Sequence, residues 1–499
     1  MPDKQLSPPE TLDERLYQLI ISRLNGDAID DAAYRGKIIG LVRKGIGGFI
    51  VFGGKREEVK EFIRMLQSLA DIPLFIASDI ERGVEQQIKG TTPFPCPMAV
   101  AAALHRESPE DMAVLEDAVR AVAEEAIDIG INMPLIPVMD VNQNPDNPII
   151  CTRAFSDDPA KVARLGTRYI KVLEQSGLIS CAKHFPGHGD TSTDSHIALP
   201  VITKPYEDLM DRDVMPFIEA IKAGTRSIMI GHLTVPALDM KPASLSGRVI
   251  TDLLRKELGF EGLVLTDALN MNALDAFGRA SVECIKAGAD MLLHPSDADA
   301  TVEELRSAIR AEHLGERQIT VAVSRILHAK ANLERRPGAE VDYEGHHRLS
   351  VQLVERSITL VKDTPGLLPL SEKERGHLMY AGDTVHGVSP LREYFRDVVP
   401  LGGAGQYEGD TLIVALFTSV AAWKGSSGID ESAREYIAEL IKRSRKSVVI
   451  SFGSPYVLRY FNKAGILIAA YEGTGQAQEA VLRCLRGASD FRGRLPVAF

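Results

Sequence analysis

No apolar run in this 499-residue chain approaches the roughly 20 residues needed to span a bilayer, so a membrane-spanning helix is not expected. The opening MPDKQLSPPE carries no hydrophobic secretory core, and a cytoplasmic location is the expectation. Cysteine is sparse and unpatterned. Cys96, Cys151, Cys181, Cys284 and Cys484 form no CxxC pair and no Cys/His zinc spacing, and read as free thiols in a reducing compartment. Positive charge is also short: 57 Lys and Arg stand against 68 Asp and Glu, a net charge of −11. A nucleic-acid partner therefore has no electrostatic support, and the acidity speaks for solubility. There is no internal repeat, low-complexity stretch, P-loop or dinucleotide fingerprint. The nearest glycine-rich segment, Leu401–Gly405, has the wrong spacing to cradle a phosphate.

What is present is an ordinary globular composition, 45% hydrophobic and 25% charged, in a chain too long for one core. One stretch concentrates the chemistry. Ile179–Pro200 reads ISCAKHFPGHGDTSTDSHIALP. It opens on a short apolar run and passes through Lys183 and His184. Pro186, Gly187 and Gly189 then break it into a tight loop carrying His188, Asp190, Asp194 and His196. Two chemistries fit. His184, His188, His196 and Asp194 are residue types that ligate zinc or iron. Alternatively, Asp194 and His196 are spaced Asp-x-His, which in an extended segment puts both side chains on one side. A carboxylate beside an imidazole fixes its tautomer and raises its basicity, which makes a proton shuttle. Spacing alone leaves both open.

Around this stretch, strand-like runs alternate with amphipathic helical ones. The strands are expected at Tyr17–Leu24, Gly48–Phe52, Leu74–Ser78, Ile131–Ile136, Ile179–Ala182, Ser227–Ile230, Leu263–Thr266 and Asp290–His294. Helices are expected between most of them, at Arg56–Leu69, Met112–Ile127, Pro159–Gln175 and Tyr206–Ala223 among others. This alternation predicts an α/β fold, a (β/α)8 TIM-type barrel over residues 1–336. A polar bridge at 337–347 reads as a linker. Residues 348–499 repeat the alternation, with strands at Ser357–Val361, Leu378–Tyr380, Thr411–Phe417, Ser447–Phe452 and Ile466–Tyr471, and predict an αβα sandwich. In the barrel, polar residues recur just after strand ends: Asp79, then Asp140, Asn147 and Arg153, then Lys183 and His184, then His232, Asp267 and His294. Their succession predicts one shared pocket at the C-terminal face. Asp267 follows a run that should be buried, and a buried carboxylate requires a partner or a task.

These motifs resemble glycoside hydrolase family 3, in particular its β-N-acetylglucosaminidase branch. KHFPGHGDTSTDSH (Lys183–His196) resembles the signature loop of that branch. GGFIVFGG (Gly47–Gly54), SDIERG (Ser78–Gly83), NPIICTRAF (Asn147–Phe155), IMIGHL (Ile228–Leu233) and VLTDALNM (Val264–Met271) resemble family blocks in the right order. VERSITLVKDTPGLLPL (Val354–Leu370) and GRLPVAF (Gly493–Phe499) resemble the opening and close of the family's second domain. The resemblance implies a retaining, exo-acting glycosidase for a terminal β-linked N-acetylglucosamine, from a small glycoside of the kind derived from peptidoglycan or chitin, as in cell-wall recycling. It implies Asp267 as nucleophile and His196 as acid/base with Asp194 as its partner. It also implies Asp79, Arg153, Lys183 and His184 as the residues holding the sugar, with His232, His294 and Met271 as candidates to support them. No metal or cofactor is implied, and the metal reading of the loop loses ground. One departure stands out. The family block commonly reads DQEGGRVQR, whereas Asp79 is followed here by IERGVEQQ, with Gln87 at the usual basic position and Arg82 displaced from it. The alternatives are a family 3 β-glucosidase or β-xylosidase, an N-acetylglucosaminide phosphorylase, and a sugar-binding protein on an inactive barrel.

Overall fold

Eight short parallel strands organise the first two thirds of the computed structural model, which describes residues 6–195, 198–274, 277–333, 340–403, 410–418 and 428–499. They are β1 (Ile20–Asn25), β2 (Gly48–Phe52), β3 (Phe75–Ser78), β4 (Met133–Pro134), β5 (Cys181–Phe185), β6 (Ser227–Ile230), β7 (Leu263–Thr266) and β8 (Leu292–Leu293). FIAS, SIMI and LVLT are buried at every position, as strands covered on both faces must be. One sheet runs β8–β1–β2–β3–β4 and another β5–β6–β7. Bridges Val138–Lys183 and Leu265–Met291 join their edges and close the ring. The fold is the expected barrel.

The helices follow local signals. Pro159–Gln175 starts on an Asp158 cap with Pro at its first turn, and Pro109–Ile129 does the same with Ser108 and stops at Gly130, at φ 96°. The first strand and the Tyr206–Ala223 helix differ from expectation. Tyr17 and Gln18 belong to a helix, Leu12–Gln18, and the first strand starts only at Ile20. Thr11 and Glu14 form a capping box that nucleates that helix. The stretch Tyr206–Ala223 is not one regular helix. A π segment, Leu209–Val214, separates Tyr206–Asp208 from Met215–Lys222, just ahead of Pro216, which has no N–H for the ladder.

A second sheet holds β9 (Thr359–Lys362), β10 (His377–Gly382), β11 (Asp397–Pro400), β12 (Thr411–Phe417), β13 (Lys446–Phe452) and β14 (Ile466–Ala469). Its order is β9–β14–β13–β12–β10–β11, with only β9 antiparallel to its neighbour. Helices Tyr343–Ser357, Ser389–Tyr394 and Gly475–Leu485 pack on one face, and Glu431–Arg443 with the turn Pro455–Phe461 on the other, giving the αβα sandwich. Helix Tyr343–Ser357 starts inside the stretch read as a linker, and residues 334–339 lie outside the described ones. His346 in that helix meets Glu125 of the barrel at 2.8 Å. Among the described residues no helix is long and apolar enough to cross a membrane.

The two units share a core. Met98, Ala99 and Ala102 of the short helix Pro97–Ala103, with Cys96 and Cys151, pack among Leu412, Val414, Tyr456, Val457 and Tyr471 of the second unit. Polar contacts flank it: Asn142 Nδ2 donates to Tyr456 Oη at 2.9 Å, and Arg494 N to Ala102 O at 3.1 Å. Met98→Ala is therefore expected to lower stability by about 2–5 kcal/mol. It should also move a single calorimetric transition downward for the whole chain. Two transitions, of which only one shifts, would show that the cores are independent.

Candidate active site

The C-terminal strand ends open into a cavity of about 1210 Å³, into which Asp79, Glu81, Arg153, Lys183, His184 and Asp267 all face. The placement of Lys183 and His184 begins with an irregularity. Both lie within β5 rather than after it, and the β5–β6 register slips between Ala182 and Phe185. In a regular strand, neighbouring side chains alternate; a bulge re-aims them. Here both reach polar partners at the same mouth.

Lys183, whose side chain is 1% exposed, donates to Asp79 Oδ1 at 2.7 Å and lies 2.7 Å from Glu81 Oε1. Arg153 grips Glu81 with two parallel bonds of 2.8 Å. It is brought there by a tight turn, Cys151–Arg153. Asn147 Oδ1 accepts the N–H groups of Ile149 and Ile150, and Asn142 Oδ1 that of Cys151. Burial pushes the Glu81 carboxyl up, but the Arg153 and Lys183 cations overcome it and hold it well below the usual carboxylate range. Burial likewise works against the Lys183 charge, and Asp79 and Glu81 overcome it, so its pKa is raised. Lys183 and Arg153 are thus fixed donors.

His184 Nδ1 lies 2.7 Å from Asp140 Oδ2, and its Nε2 lies 3.4 Å from Arg153 Nη2. A guanidinium only donates, so Nε2 accepts and the proton sits on Nδ1, toward Asp140. Asp267 directly follows β7. Its N–H donates to Ile230 O at 2.9 Å, its Oδ1 accepts the Ala268 N–H at 2.8 Å, and the half-buried carboxylate lines the cavity.

The glycine-broken loop after β5 is packed hard against the loop after β4. A Cβ on Gly189 would stand 1.8 Å from Val141 O, so only glycine permits this approach. Asn147 Nδ2 donates to His188 O at 3.0 Å, and Asn144 Nδ2 to Thr191 O at 3.2 Å. Lys204 ties Asp190, at 3.0 Å, to Asp213, at 2.7 Å. Asp194 and Ser195 are buried here, whereas His196 lies outside the described residues. Of the loop histidines expected as metal ligands, His184 is engaged by Asp140 and Arg153, and His188 by Thr191 and Ser195. Among the described residues no three His, Cys, Asp or Glu side chains are placed so that they could hold one metal ion.

The supporting candidates separate. His294 lines the cavity, pushed down to about 4 by burial and by Arg23. His232 is buried in the loop after β6, its Nδ1 2.8 Å from Ser244 Oγ, and Met271 is buried in the loop after β7; neither is among the residues lining the cavity. Arg82 and Gln87 do line it. Sequence reasoning did not single out Glu81, whose signal was its i+2 spacing from Asp79. It named Asp140 without assigning it to His184. The second unit also closes one wall, with Asp383, His386 and Glu472. Burial raises the Glu472 carboxyl against the pull of Arg82, and Glu472 accepts the Cys96 N–H at 3.0 Å.

Comparison with known proteins places the chain in a family. Residues 11–329 match the glycosyl hydrolase family 3 N terminal domain. The chain is 29% identical to a β-N-acetylglucosaminidase/β-glucosidase of Cellulomonas fimi, over 92% of this chain and 90% of that one. It is 32% identical to β-hexosaminidase A of Pseudoalteromonas piscicida, over 71% of this chain and 64% of that one. A family 3 β-N-acetylglucosaminidase from Paenibacillus sp. str. FPU-7 superposes with a TM-score of 0.83 at 28% identity, over 98% of this chain and 99% of that one. The β-glucoside phosphorylase BglX superposes with a TM-score of 0.87 at 25% identity, over 98% and 93%.

Proposed function

Since the chain belongs to glycosyl hydrolase family 3 and is a glycosidase, we propose that it removes terminal β-linked N-acetylglucosamine with retention, through a glycosyl-enzyme on Asp267. The observation that carries the reading is the placement of Asp267 on the same cavity as the Asp79–Lys183–Glu81–Arg153 network, a cavity that Ser195, the residue before His196 in sequence, also lines. The sugar preference is supported by the relatives whose names carry that activity.

In the proposed reaction, an Asp267 oxygen attacks the anomeric carbon as the bond to the leaving oxygen breaks. Protonated His196 gives its proton to that oxygen. Neutral His196 then takes a proton from water, whose oxygen displaces Asp267 and restores the carboxylate. Asp194 stabilises the cationic form of His196. Lys183, Arg153 and His184 meet the sugar hydroxyls, with Asp79 accepting from them. The substrate is a small glycoside of the kind released from peptidoglycan or chitin. The test compares an aryl β-N-acetylglucosaminide with the matching β-glucoside. Preference for the glucoside, or an α-anomer as the first product by NMR, would overturn the reading.

Release to phosphate instead of water is a second reading, favoured by the likeness to a β-glucoside phosphorylase and by a neutral imidazole that does not repel an anion. Rising phosphate in the same NMR assay separates the two: sugar 1-phosphate marks a phosphorylase, and free sugar at an unchanged rate marks a hydrolase.

His196→Ala is expected to slow hydrolysis of poor leaving groups by about 10²–10⁴-fold. Activated aryl glycosides should lose mainly the second step, and azide should restore it, since a small anion needs no general base. Normal turnover of poor leaving groups by the variant would remove His196 from the mechanism.

A further inference from the structure

The loop itself holds a buried imidazole that this chemistry does not use. His188 is 1% exposed, and its N–H donates to Asp140 Oδ1 at 2.7 Å, the carboxylate that also holds His184. Its ring bridges two hydroxyls: Nδ1 lies 3.0 Å from Thr191 Oγ1 and Nε2 lies 3.1 Å from Ser195 Oγ. The direction of these bonds follows from the neighbours. Thr191 Oγ1 donates to His188 O at 3.2 Å and accepts from Asn147 Nδ2 at 3.3 Å. Its remaining lone pair accepts Nδ1–H, so Nε2 accepts the Ser195 O–H. Burial pushes this imidazole down to about 4, so it stays neutral near pH 7 and keeps its acceptor. Asp140, His184 and Asp267 are the charged or titratable groups around it.

Ser195 is the residue between Asp194 and His196. We propose that His188 is a positioning residue for the acid/base segment, holding Ser195, the residue next to His196 in sequence, through its hydrogen bond to the Ser195 hydroxyl. The proposal rests on His196 being the acid/base. A fixed proton donor matters because a misplacement of about 1 Å costs on the order of 10²-fold in rate. The bond runs through a side chain rather than the backbone, so it is removable without cutting the loop.

The test uses Ser195→Ala, His188→Gln and the double variant, with His196→Ala in parallel, on aryl β-N-acetylglucosaminides of graded leaving-group acidity. Expected for Ser195→Ala is a loss of about 10–100-fold in kcat with poor leaving groups. The loss should be much smaller with activated ones, in a folded protein whose thermal midpoint falls only slightly, because the buried His188 Nε2 loses its donor. His188→Gln should show the same slope against leaving-group acidity, and the double variant should be no worse than the poorer single one. A uniform loss across leaving groups, additive losses in the double variant, or a Ser195→Ala indistinguishable from wild type while His196→Ala is impaired would overturn the positioning role alone. A His196→Ala that turns over poor leaving groups normally would overturn the acid/base reading and this proposal with it.

Discussion

Asp267→Ala is expected to yield a folded protein that turns over aryl β-N-acetylglucosaminides about 10³-fold more slowly or worse, a loss of about 4 kcal/mol or more of barrier lowering. Folding should survive. The carboxylate is half-buried at a strand end, and the hydrogen bond it accepts from Ala268 N–H is worth about 1 kcal/mol. The loss of turnover follows from the other carboxylates on the cavity. Both oxygens of Glu81 are committed to Arg153, and one of them also to Lys183. Asp79 is drawn to Lys183. Neither can leave its partner for a covalent bond without abandoning a buried cation. Asp267 stands at the end of β7 with its carboxylate toward the cavity. A 2-fluoro sugar with a good leaving group should label Asp267 in the wild-type protein, and not the alanine variant. A label found by mass spectrometry on Asp79, Glu81 or Glu472 would move the nucleophile elsewhere. Near-normal turnover in Asp267→Ala would end the covalent mechanism.

Much of the site was legible because a barrel converts sequence order into spatial order. Polar residues that end consecutive buried strands must gather at one face, so strand order alone groups Asp79, Arg153, Lys183 and Asp267. The details that escaped are those set by tertiary pairing. Lys183 and His184 looked like residues beyond a strand because the register slip at β5 leaves no local mark. The helix that replaced the start of the first expected strand was readable, since Thr11 and Glu14 stand three apart as a capping box requires. The apolar run after it masked the signal. The wall formed by Asp383, His386 and Glu472 was not readable at all. It depends on how the sandwich docks through Met98, Ala102 and Tyr456, and nothing near those three polar residues in sequence reports that docking.

Glu81 shows the same limit, and its removal should have the second largest effect. It sits between two cations, 5% exposed, with Lys183 at 2.7 Å and Arg153 at 2.8 Å. Glu81→Gln keeps the shape and removes the charge, leaving Arg153 and Lys183 to face each other with Asp79 as their nearest counter-charge. Breaking a buried ion pair by removing one partner costs about 3–5 kcal/mol, because the remaining charge stays desolvated. Urea unfolding at pH 7 should show a loss of that order. The sign with pH is fixed by the depressed carboxyl: its contribution is complete above the unfolded value of about 4.3 and is lost only as pH falls from there toward the lower folded value. The gap between wild type and variant should hold from pH 7 down to about that value and narrow below it. Catalysis should suffer as well. Arg153 and Lys183 lose the group that aims them at the sugar, so KM should rise and kcat fall together. A Glu81→Gln protein with wild-type stability at pH 7 would show that the two cations are relieved by solvent, and the network would then be a binding surface without a structural keystone.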